Sequence, residues 1–126
     1  VKSLCNGNIE YLGGLSQKTI CQLASQARAL VYPLGEDEAH SHKSVDVMSQ
    51  GCPVVVYDRS ASREYVEHGV TGFVAKDREE FKRYLLEVDK LDRNLIKKRA
   101  WERWGPRSII EKLLPILVEV SRGARW

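Results

Sequence analysis

Apolar and polar positions alternate with two different periods along this chain. Ile9 to Leu12 alternates and runs into Gly13 and Gly14, which predicts a short strand and a turn. Ser16 then stands where a helix N-cap would, and Ile20, Leu23, Ala24 and Ala27 follow at helical spacing. Ala29 to Tyr32 is a continuous apolar run stopped by Pro33, the pattern of a strand buried on both faces. A second helix is predicted from about Lys43 to Gln50, with Val45, Val47 and Met48 as apolar members and Gly51 as its stop. Pro53 to Tyr57 is β-branched and is the clearest strand.

The pattern then shortens. Ser60 or Ser62 is expected to cap a brief helix that Gly69 ends, and Thr71 to Val74 reads as a strand. Asp77 to Glu80 forms a capping box ahead of a helix carrying Phe81, Tyr84, Leu85 and Val88. Helices near Asp92 to Trp104 and Pro106 to Ser121 follow, with Pro115 expected to kink the last. Strands joined by crossover helices lie parallel. The chain therefore predicts one α/β domain over residues 1–126, a partial Rossmann-like parallel sheet with helices on both faces plus C-terminal helices.

Composition narrows the function classes. The 126 residues hold 43% apolar and 29% charged side chains, with a net charge of +3. No basic stripe interleaves with aromatics, which argues against a nucleic-acid partner. No apolar run reaches membrane-span length. Cys5, Cys21 and Cys52 are odd in number and widely spaced, against a disulfide framework or a zinc site, so a cytoplasmic location is expected. Met48 is the only methionine and the chain begins at Val1, which predicts a piece of a longer protein.

In open parallel sheets ligands bind beyond the carboxyl ends of the strands. Two polar segments leave such ends: Gly35 to Lys43, and Asp58 to Glu64. Glu38, His40, His42 and Glu64 are thereby expected around one crevice. Backbone N–H groups at the start of the second helix suit a phosphate, and Lys43 adds a charge. Asp46, about one turn inside, can accept hydrogen bonds from vicinal hydroxyls. Phosphate donors beside a hydroxyl acceptor point to a nucleotide diphosphate.

Each residue has a plainer reading. Glu38 also reads as an exposed loop acid, and Asp46 as a solvent-facing helix residue. Glu64 could pair with Arg63 or Arg59. His40 and His42 form a His-x-His pair that binds zinc only with a third ligand such as Glu38, and more often is merely polar. His68 is expected as a cation at a helix end. Cys52 reads as a small buried hydrophobe. Trp101, Trp104 and Trp126 are expected to pack the terminal helices.

In order, Glu38, Asp46, the run Gly51-Cys52-Pro53-Val54-Val55, and Glu64 to Gly72 resemble the C-terminal domain of GT-B glycosyltransferases of the GT4 type. Tyr11 to Leu15 resembles that family's strand and glycine turn. The resemblance covers nearly the whole chain. It implies the C-terminal half of a GT-B fold, with the acceptor-binding N-terminal domain missing. It implies Glu38 at the donor sugar, backbone N–H groups around Ser41, His42 and Lys43 on the diphosphate, and Asp46 on the ribose. Glu64 joins this donor-binding set. It further implies retention of anomeric configuration, with no metal and no cofactor beyond the nucleotide-diphosphate sugar. The acceptor would be a glycan, a lipid-linked molecule or a small molecule, and any membrane contact would come through the missing domain.

The sequence also departs from the family. Asp46 replaces a Glu, shortening the side chain by about 1.5 Å. Ala39, His40 and Ser41 replace a glycine-rich stretch. The domain's first two strands, with their basic residues, are absent. Two other functions fit parts of the pattern. A stand-alone signalling module would use Asp58 as phospho-acceptor, yet no acidic pair follows the first strand. A degenerate transferase domain would keep the fold for assembly alone.

Overall fold

The structure is a computed structural model, and it describes residue 5, residues 7–33 and residues 41–123. Helix α1 (Gln17–Gln26) leads to strand β1 (Leu30–Tyr32), helix α2 (His42–Met48) and strand β2 (Val54–Tyr57). A short helix α3 (Ser62–Tyr65), strand β3 (Gly72–Ala75) and helix α4 (Arg78–Glu87) follow. A 3₁₀ turn (Val88–Lys90) joins them to α5 (Arg93–Trp104) and α6 (Pro106–Ser121).

The three strands pair in parallel in the order β1-β2-β3. This is an α/β layer with helices on both faces, as the alternation predicted. Strand β2 shows why: Val54 and Val56 pack with Ala24, Val47, Met48, Tyr65 and Ile96. Val55, pointing the other way, packs with Phe73, Phe81 and Val88. Period-2 alternation thus feeds two cores, one under α1, α2 and α5 and one under α4.

Local signals set the helix ends. Ser16 Oγ accepts from Thr19 N–H at 3.2 Å, and Asp77 Oδ1 accepts from Glu80 N–H at 2.8 Å. The Glu80 carboxylate reaches back to Lys76 N–H at 3.0 Å, one residue earlier than an ideal capping box. Gly51 stops α2 with φ +80°, where a Cβ would lie 2.6 Å from the Arg93 carbonyl oxygen.

Several expectations are corrected. Ile9 to Leu12 forms no strand; Ile9 is 55% exposed, and no described strand lies beside it to supply a ladder. Three described strands therefore stand where four were expected. Among the described residues strand β1 stands at the edge of the sheet, and Val31 is 48% exposed. Neither Ser60 nor Ser62 caps α3: Ala61 holds that position without a side-chain bond, and Ser62 is buried. Helix α3 ends at Tyr65, well before Gly69. Helix α6 runs from Pro106 to Ser121 with Pro115 inside it. Among the described residues no helix is long and apolar enough to cross a membrane.

Candidate functional site

Parallel pairing brings Tyr32, Tyr57 and Ala75, the last residues of the three strands, to one edge. A cation stands at each. Lys43 Nζ lies 5.8 Å from the centroid of the Tyr32 ring. The Arg59 guanidinium lies 5.5 Å from the Tyr57 ring. Lys76 directly follows Ala75. Each ring attracts the cation over its face by roughly 0.5–1 kcal/mol at an exposed position. That is enough to bias a long side chain toward the edge.

Asp58 is the anion of this edge. The Arg63 Nε and Nη2 groups donate to its two carboxylate oxygens. Those hydrogen bonds hold the Asp58 carboxyl below the usual carboxylate range, and the charges of Arg63 and Lys76 add to them. Arg63, one of the two local partners open to Glu64, is thus engaged by Asp58. Glu64 itself is exposed on α3.

Ser41 begins α2 as its N-cap and is only 1% exposed. Its Oγ accepts from Ser44 N–H at 3.2 Å and from Ser44 Oγ at 3.0 Å. One of the helix's first backbone donors is thereby used internally. His42 and Lys43 are exposed on the first turn. With seven residues, α2 carries a weaker field than a long helix.

Asp46 is half-buried, and its carboxylate accepts from Gln17 Nε2 at 3.4 Å. Helix α1 ends beside the start of β2, where the carbonyl of its C-cap Ala27 lies 3.7 Å from Cys52 Sγ. Gln17, at the opposite end of α1, therefore lies toward the carboxyl edge. Asp46 opens on a groove of about 370 Å³ lined also by Gln17, Cys21, Val45, Trp101 and Trp104. Glu38 and His40 lie outside the described residues. Among the described residues, no three His, Cys, Asp or Glu side chains group closely enough to hold a metal ion.

His68 lies beyond the end of α3; its Nδ1 accepts from Val74 N–H at 3.1 Å, and its ring meets Phe73 and Tyr84 edge-on. Cys52 is fully buried, as expected, and burial raises its thiol pKa. Trp104 packs partly buried against the core, while Trp101, 52% exposed, donates to the Ser49 carbonyl at 3.3 Å. Trp126 lies outside the described residues. Of the cations at the strand ends, Lys43 was read from the sequence, and Arg59 and Lys76 were not. A basic residue two positions past an apolar strand, as Arg59 stands past Tyr57, was the available signal.

A parallel α/β layer with a cation at each strand's carboxyl end defines a domain suited to an anionic ligand. Residues 2–103 match the family model described as Glycosyl transferases group 1, and the chain belongs to that family. Helix α6 lies outside the matched span. A search of curated proteins finds no match. Family membership makes the chain a glycosyltransferase domain and removes the signalling-module reading of Asp58.

Proposed function

We propose that this chain is the donor-binding part of a retaining, GT4-type glycosyltransferase that moves a hexose from a nucleotide-diphosphate sugar to an acceptor. The observation that carries the proposal is the set of cations at the strand ends, Lys43 over Tyr32, Arg59 over Tyr57, and Lys76 after Ala75. A diphosphate is the part of the donor that such an edge favours.

In this reading Glu38 contacts the sugar hydroxyls near the reacting carbon. The N–H groups around Ser41, His42 and Lys43 hold the diphosphate, and Glu64 completes that rim. Asp46 binds the ribose and exchanges its Gln17 partner for the vicinal hydroxyls. The anomeric C–O bond to phosphate breaks as the bond to the acceptor oxygen forms on the same face. The acceptor proton passes to the departing phosphate, so neither a metal nor a strong protein base is required. The acceptor, a glycan, a lipid-linked molecule or a small molecule, is held by an N-terminal domain whose closure excludes water. Three widely spaced cysteines fit a reducing cytoplasm.

Calorimetry of the full-length protein with UDP, GDP and ADP and their sugars tests this. Binding of one donor, lost with Asp46→Ala, and activity lost with Glu38→Ala are the expected results. Absence of binding, with activity indifferent to both substitutions, refutes the assignment.

A further inference from the structure

We propose a second binding site, for a small anionic molecule with an apolar body, in the cavity enclosed by α2, α3, α5 and α6. The cavity measures about 280 Å³, near the lower limit of roughly 300 Å³ for pockets that take drug-sized ligands. It therefore fits a small molecule and not a polymer. Met48 ends α2 and Thr71 precedes β3, so the cavity borders the amino edge of the sheet, away from Lys43 and Arg59. The proposal does not depend on the donor-site reading.

The lining divides into a dry floor and a charged mouth. Met48, Tyr65 and Ala100 are 1%, 2% and 4% exposed, and Trp104 stands beside them. An aromatic or aliphatic body would find contacts there. At the mouth the lining carries Arg99, Arg103 and Lys112 against Glu67 and Glu102. Both carboxylates sit by Arg99, at 3.9 and 3.8 Å. One guanidinium balances only one of them; Lys98, 3.7 Å from Glu102, balances the other, and Arg103 and Lys112 remain in excess. The Arg103 guanidinium lies 5.3 Å from the Trp104 ring, which tethers it over the floor. Lys112 Nζ uses one donor on the Arg103 carbonyl at 3.3 Å and keeps others for a ligand. Thr71, 4% exposed, uses its Oγ1 lone pair to accept from Glu67 N–H at 2.9 Å. Its own hydroxyl proton is available to donate. Two cations, a buried hydroxyl donor and an aromatic wall together select an anion carried on an apolar body.

The test titrates the protein with phenyl phosphate, benzoate, phenol and inorganic phosphate, following backbone amide NMR shifts at Thr71 and Ala100. Phenyl phosphate or benzoate should bind about tenfold more tightly than either phenol or inorganic phosphate. Arg103→Glu and Lys112→Glu should each weaken binding about tenfold, whereas Arg103→Lys should restore most of it. Lys43→Ala should leave it unchanged. The proposal is overturned if no probe binds, if phenol binds as well as the anions, if charge reversal has no effect, or if the shifts gather at Lys43 and Arg59.

Discussion

The two edges of the sheet use their polar groups in opposite ways. At the amino edge Gly51, Gly72 and Arg93 close the backbone against itself, and donors and acceptors meet inside the protein. At the carboxyl edge Lys43, Arg59 and Lys76 face outward, held over rings or set beside the strand end. Around Gly51, Gly72 and Arg93 the backbone contacts fix the fold, and the carboxyl-edge cations keep charge for a ligand. Substitutions at Gly72 or Arg93 should therefore cost stability, and those at Lys43 or Arg59 should cost binding.

Gly72→Ala should have the largest effect. A Cβ at Gly72 would lie 2.1 Å from the Val54 carbonyl oxygen and 2.9 Å from the Val54 nitrogen. Both atoms belong to the central strand, which cannot retreat without opening its ladder to β1 or β3. A loss of about 4 kcal/mol or more is expected in urea unfolding followed by circular dichroism. A loss below about 1 kcal/mol would mean that the amino edge is not rigid.

Arg93→Ala comes next. The guanidinium donates to the carbonyls of Ala27 at 2.8 Å, Ser25 at 3.1 Å and Ala24 at 3.2 Å. These carbonyls close the last turn of α1, where no helical donor follows. The arginine ties α5 to the far end of α1 across 66 residues of chain. Its removal should cost about 2 kcal/mol in the same unfolding assay, with Arg93→Lys recovering part of it. An unchanged midpoint would show that water caps α1 equally well.

Carboxyl-edge cations should behave in reverse. Lys43→Ala and Arg59→Ala should change stability by less than about 0.5 kcal/mol, since both side chains are exposed. Each should weaken binding of the nucleotide diphosphate about tenfold, or about 1.4 kcal/mol, measured by calorimetry at fixed salt. Raised ionic strength should shrink the difference. Equal binding by the variants would place the anion site elsewhere.

How much of this was legible follows from what sequence patterns encode. Strand β2, α4 with its Asp77 cap, and the Gly51 stop were readable because each rests on neighbours within a few residues. Residues Ile9 to Leu12 misled because alternation shows only that a segment could pair, while pairing needs a partner strand. His68 was read from its distance to a supposed helix end, but Val74 supplies its partner through a turn of the chain. The place of Lys43 at the start of α2 was readable from the helix pattern. The stacking of Lys43 on Tyr32 was not, since eleven residues separate them in sequence.

The smallest expected effect, the Asp58–Arg63 pair, tests the comparison most finely. Arg63 hydrogen bonds depress the folded pKa of Asp58 below the ordinary carboxylate range. As pH falls, the unfolded chain therefore takes up this proton before the folded one. The pair's contribution to stability is complete above the ordinary aspartate range and disappears as pH falls through the depressed value. Arg63 is 63% exposed, so solvent screens the pair and the stability change should fall within the error of a urea titration. Arg63→Gln should nonetheless raise the Asp58 titration midpoint, read from its carboxyl carbon by NMR. It should also leave an uncompensated anion beside Arg59 and weaken diphosphate binding, while Asp58→Asn strengthens it. A midpoint that stays in place would mean the pair does not persist in solution. A large stability loss would mean the carboxyl edge is built like the amino one, and the division between the two edges would fall.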